Sequence, residues 1–197
     1  EVLPAMLRVV AAAAVVTAVA GQCSVTNPNT GTVFNLESLI NNPYYQVQSA
    51  HYPSYWFYFN ICGAIDFPYD GTNNPDTCPA GSTTTCEVQD TDGRFEASEP
   101  YGMTPNAQLL WNTNDFPEGV TEPGPLYSTV GNTCERSGSV GSVTSKVWLV
   151  CDSSATTPVP VMIDDNYWDC YVKIILKTHL ACDSAGPPPP PPGPAPP

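Results

Sequence analysis

The residues with the most chemistry in this chain are its eight cysteines: Cys23, Cys62, Cys78, Cys86, Cys134, Cys151, Cys170 and Cys182. The number is even, and no pair has the Cys-x-x-Cys spacing of zinc sites and thiol oxidoreductases. The pattern predicts a disulfide framework, which leaves no thiol as a nucleophile. Other reactive groups are sparse. His51 and His179 are the only histidines, too few and too far apart in sequence for a metal cluster or a catalytic triad. Asp90-Thr91-Asp92-Gly93 starts like a calcium loop but lacks the later aspartate and the closing glutamate. Asp164, Asp165 and Asp169 read as a solvated acidic turn. No pair of acids is marked by its surroundings as a hydrolytic couple. Trp56, Trp111, Trp148 and Trp168 serve either as core or as sugar-stacking faces. The expectation is a non-enzymatic protein with no cofactor and no metal.

Strands are the framework expected to carry these residues. Tyr55 to Cys62 is a dense aromatic run of strand length. In Ser142 to Cys151, Val143, Val147, Leu149 and Cys151 share one face. Cys170, Val172, Ile174 and Leu176 do the same in a last long strand, with Tyr171, Lys173 and Lys177 opposite. Shorter strands are expected at Val33–Leu36, Tyr44–Gln48, Thr83–Gln89, Gln108–Asn112 and Leu126–Val130. Turn signals such as Asn73-Asn74-Pro75, Asp92-Gly93, Pro117-Glu118-Gly119 and Pro123-Gly124-Pro125 separate them. Helix is confined to one or two turns near Leu36 to Ile40. Many short strands with frequent turns predict an all-β sandwich or flattened barrel.

The ends differ in character. Val9 to Ala20 is an apolar run preceded by Arg8 and closed by Ala18-Val19-Ala20, which reads as an export signal cleaved before Gly21. It is too short for a hydrocarbon core that needs about 20 apolar residues. Pro187 to Pro192, followed by Gly193-Pro194-Ala195-Pro196-Pro197, reads as a polyproline II spacer or tail. The expected organisation is residues 1–20 as signal peptide, 21–183 as one β domain and 184–197 as spacer. Such a segment is expected either to lead beyond Pro197 into a membrane span or a second domain, or to be a free tail. The net charge of −13, with six Lys and Arg, argues against nucleic acid or anionic membrane as a partner. The compartment is expected to be the secretory-pathway lumen (Golgi, endosome or lysosome) or the cell exterior.

Phe34-Asn35-Leu36-Glu37-Ser38-Leu39, Phe59-Asn60-Ile61-Cys62-Gly63, the short Cys78–Cys86 loop and Val147-Trp148-Leu149-Val150-Cys151 resemble the mannose 6-phosphate receptor homology domain family. So does the closing Thr178-His179-Leu180-Ala181-Cys182, with the cysteine order as the specific part. The resemblance covers Gly21 to about Asp183. It implies a disulfide-braced flattened barrel or sandwich of two antiparallel sheets. It also implies the bridges Cys23–Cys62, Cys78–Cys86, Cys134–Cys170 and Cys151–Cys182, and a lectin-like domain that binds glycan, glycoprotein or protein cargo for sorting.

Mannose-binding members of that family use a glutamine, an arginine, a glutamate and a tyrosine. Here Glu87 stands at the glutamine's place, with Gln89 on the same strand face. The arginine's place is Val143, and Arg136 is the substitute cation after Cys134. Asp165, beside Asp164, falls near the glutamate's place. The tyrosine's place is Val172, with Tyr171 adjacent but turned to the other face by strand alternation. Two valines in place of a guanidinium and a phenol frame the alternative: a scaffold of this type that acts as a protein-interaction or structural module. A secreted matrix protein whose proline tail is the working part is a third reading.

Overall fold

The structure is a computed structural model describing residues 23–40, 43–65, 78–91, 94–136, 139–166 and 170–183, with side chains omitted at 91–98, 134–140 and 166–169. The export-signal segment, the proline segment, the turns at Asn73–Pro75 and Asp92–Gly93, and Trp168 and Asp169 lie outside the described residues.

Eleven strands are described: β1 (Ser24–Thr26), β2 (Val33–Asn35), β3 (Tyr45–Gln48), β4 (Tyr55–Phe59), β5 (Thr83–Thr91), β6 (Arg94–Met103), β7 (Gln108–Asn112), β8 (Gly124–Arg136), β9 (Ser139–Cys151), β10 (Val159–Asn166) and β11 (Tyr171–Thr178). Among the described residues, single 3-10 turns interrupt them at Glu37–Leu39, Thr104–Asn106 and His179–Ala181. The strands form a β1-β2 ribbon, a four-stranded sheet in the order β3-β4-β5-β6 and a five-stranded sheet in the order β10-β11-β9-β8-β7. The two large sheets face each other as an all-β sandwich, as the resemblance implied.

Strand alternation builds the core. Phe57 and Phe59 of β4, Val143, Val147 and Leu149 of β9, and Val172, Ile174 and Leu176 of β11 point between the sheets, with Leu36, Leu39 and Ile61 completing the filling. The outer faces are not bare. Tyr58, Cys78, Cys86 and Val88 cluster outside the four-stranded sheet, and Leu126, Trp148 and Ile175 outside the five-stranded one.

Within the five-stranded sheet, β11 pairs with β9 in parallel, whereas the resemblance implied antiparallel sheets throughout. Pro160 explains the arrangement. It lacks a backbone donor, which confines its strand to an edge. β10 therefore runs on the outside, one strand place from β9, and the chain returns as β11 into the slot between them.

The sheets approach closely at a corner where β6 meets β8. A Cβ at Gly131 would run into the Pro100 carbonyl, and one at Gly102 into the hydroxyls of Thr129 and Thr84. The bridges Cys23–Cys62, Cys78–Cys86 and Cys151–Cys182 are formed. Cys170 is also disulfide-bonded, while the side chain of Cys134, its expected partner, lies outside the described residues. Cys62 and Cys170 both hold positive φ, 58° each, where they turn the chain at strand ends.

Candidate functional site

The residues expected to contact a sugar fall in three places. Glu87 lies on β5 opposite Phe57, buried and facing the core. It is engaged within the fold rather than free. Gln89, two residues on, is half-buried opposite Tyr55. Thr85, on the same face, donates to Ser145 across the sheets at 3.1 Å, so the polar side chains of this inner wall satisfy one another there. Val143 and Val172, where sugar-binding relatives of the resembled family would place an arginine and a tyrosine, are both 0% exposed in the central core. Neither can donate a hydrogen bond.

Asp165 is also inside, directly opposite Val172 and buried. Ser49 Oγ donates to its Oδ2, and the Ala50 backbone N–H donates to its Oδ1 at 2.9 Å. Both carboxylate oxygens are thus occupied in tying the β10 edge to the end of β3. Tyr171 lies on the outer face, as alternation predicted. Arg136 closes β8, and its side chain lies outside the described residues.

The surface just outside Asp165 has a different constellation. His51 Nε2 and Asp164 Oδ1 are 3.2 Å apart, and the Tyr171 hydroxyl donates to Asp164 Oδ2 at 2.7 Å. Lys173 Nζ sits 4.6 Å above the Tyr171 ring centre. Ser49 Oγ accepts from the His51 and Tyr52 backbone N–H groups, which folds the 49–52 turn. Tyr52 packs edge-on to His51 on one side and Tyr55 on the other. Burial acts to raise the Asp164 carboxyl. The hydrogen bonds from Tyr171 and His51 and the charge of Lys173 outweigh it, holding the group below its ordinary value. The side chains of His51 and Asp164 are 57% and 35% exposed, so the cluster is accessible to a partner.

The structure therefore joins Tyr171 to Asp164, read from the sequence both as part of an acidic turn and as near the glutamate's place, and to His51, read as an ordinary structural or surface histidine. Their separation of 113 residues left no local pattern to read. The aromatics Tyr52, exposed, and Tyr55, half-buried, close to His51 in the chain were the one available hint.

Among the described residues, no three His, Cys, Asp or Glu side chains converge as a metal site. Of the tryptophans, Trp148 is core and donates to the Asp115 carbonyl at 2.8 Å, and Trp56 packs on the outer cluster beside Tyr58. Trp111 stacks on Phe34 with ring centres 5.3 Å apart.

A solved structure, chicken IGF2R domain 11, superposes with a TM-score of 0.57 at 20% identity, covering 83% of this chain and 93% of that one. The fold is that of a mannose 6-phosphate receptor homology domain. A second solved structure, domain 11 of the echidna M6P/IGF2R receptor, matches at 19% identity with a TM-score of 0.47, covering 84% of this chain and 97% of that one. No protein-family model and no curated protein matches the sequence. In this receptor-homology fold, β5, β9 and β11 carry Glu87, Val143 and Val172 on their inner faces.

Proposed function

We propose that this chain is a non-enzymatic, receptor-type binding module of the secretory lumen or cell exterior. It recognises protein cargo through its outer rim, not mannose through the inner wall of the fold. The observation that carries the reading is the burial of Val143 and Val172 in the core. Recognition of a sugar depends on buried donors and acceptors matched to its hydroxyls, and those two places offer only methyl groups. The rim of His51, Tyr52, Asp164, Tyr171 and Lys173 supplies the aromatic area that protein interfaces favour, in Tyr52 and Tyr171, with one acid and two basic side chains around it.

Disulfides forming wherever described cysteines meet support an oxidising compartment. No described helix is long and apolar enough to cross a membrane.

The test is a glycan array with the disulfide-intact chain, run beside binding to secretory glycoproteins before and after enzymatic removal of their glycans. The expected result is no signal for mannose-bearing glycans and cargo binding that survives deglycosylation. Saturable binding to mannose-terminated glycans would replace this reading with the lectin one.

A further inference from the structure

At a distance from that rim, a groove of about 530 Å³ opens between the β1–β2 turn and the segment leading into β8. Its aromatic wall is the stacked pair Phe34 and Trp111. Pro123 and Pro125 also line it, Pro125 paired with Trp111 across β7 and β8, and the lining acids are Glu122 and Asp183. The Trp111 indole N–H is covered and has no acceptor. Such a donor is costly to leave unmade, and tryptophan N–H groups find partners when buried.

Asp183 lies at the edge of this groove, pinned there by Thr32 Oγ1, which donates to its Oδ1 at 2.9 Å. The next residues are Ser184-Ala185-Gly186, three small residues, and then Pro187 to Pro192. We infer that the groove is the docking site of the chain's own proline-rich segment, residues 184–197. Three features of that segment match the groove. It carries no charged side chain, so Glu122 and Asp183 neither attract nor repel its side chains. Its prolines offer flat apolar rings to aromatic faces, the way polyproline II ligands bind aromatic-lined grooves. A proline run has carbonyl acceptors and almost no donors, which suits the unpartnered indole once that ring turns slightly to meet it.

The tether makes the contact productive. The segment starts at the groove edge and, at ~3.1 Å per residue, reaches on the order of 40 Å, more than enough to turn back across it. A short linker holds its ligand at an effective concentration in the ~mM range, so an affinity too weak to matter between molecules is sufficient within one.

The experiment compares the isotope-labelled full chain with the same chain ended after Asp183, by amide and indole NMR. In the full chain, the Trp111 indole N–H and the amides of residues 119–122 and 124 are expected to shift relative to the shortened chain, by the same amount at every protein concentration. A synthetic peptide of residues 184–197 added to the shortened chain should restore those shifts with a Kd below the ~mM tether concentration. A third chain, with Pro187–Pro192 replaced by glycine and serine, should resemble the shortened one. Identical spectra beyond residues 181–183 would overturn the inference. Shifts that fade on dilution would overturn it in favour of a second copy as donor, and shifts retained by the glycine–serine chain would show that proline is not what is recognised.

Discussion

Asp164 is where the chemistry of single residues can be measured. Burial acts to raise its carboxyl, and Tyr171, His51 and Lys173 prevail over burial to hold it below the ordinary value of 3.8. A group with a lowered folded-state pKa adds stability above its unfolded value, and that contribution disappears as pH falls through the folded one. The rim should therefore loosen below about pH 4 and stay intact above it. Carbon-detected NMR titration should place the Asp164 midpoint below 3.8 in the parent chain and nearer that value in Tyr171→Phe. An unchanged midpoint would mean that the Tyr171 hydroxyl does not hold the acid. Asp165, the adjacent residue, is spent on Ser49 and Ala50, so two neighbouring aspartates play different parts. The sequence showed both acids, yet it could not show which faced inward, because the irregularity in β10 pairing between Met162 and Asp164 resets the alternation there.

Among elements, the corner between β6 and β8 sets how closely the two sheets approach. Gly131 admits the Pro100 backbone, which is not the movable end of a side chain. Gly131→Ala should cost roughly 1–3 kcal/mol through overpacking. Gly141, which has open space around its Cβ position, is the matched control. Urea unfolding of the two variants separates them: a lowered midpoint for Gly131→Ala with Gly141→Ala near the parent is expected, and equal midpoints would remove the close approach as the reason for glycine. Element identity was largely legible beforehand. β3, β4, β5, β7, β9 and β11 fall on segments with clear alternation or aromatic density. β6 and β10 did not stand out. β10 carries Pro160 and ends in Asp164-Asp165-Asn166, a composition typical of turns, and it is a strand because β11 pairs along its whole length. The parallel β9–β11 pairing was equally hidden, since strand direction depends on where β10 is placed and not on any residue in β11.

For the whole molecule, the bridges decide how much unfolded chain is restrained. Cys151–Cys182 closes 31 residues and ties the end of β9 to the turn that follows β11, whereas Cys78–Cys86 closes only 8. In the chain-entropy description the longer loop contributes about 3.7 kcal/mol and the shorter about 2.5. Replacing both cysteines of each bridge by alanine should lower the thermal midpoint more for Cys151–Cys182, as calorimetry would show. The reverse order would mean that the outer cluster around Cys78 and Cys86, not loop closure, governs that part of the fold. The interior resists titration as well as unfolding: burial pushes the Tyr127 phenol well above its ordinary value, opposed only by a hydrogen bond with the Cys62 backbone.

Residue order was enough to make this an all-β, disulfide-braced domain, because alternation and cysteine order are written residue by residue and survive any arrangement of the strands. It also placed valines at 143 and 172, and so set which donors an inner sugar wall would lack. Folding had to supply the rest: Asp165 turns inward while Asp164 meets His51 and Tyr171, and a groove with a stacked Phe34–Trp111 wall opens beside Asp183. Those contacts join residues far apart in the chain. They exist because two sheets fold onto one core, and no local pattern carries the distance between strands.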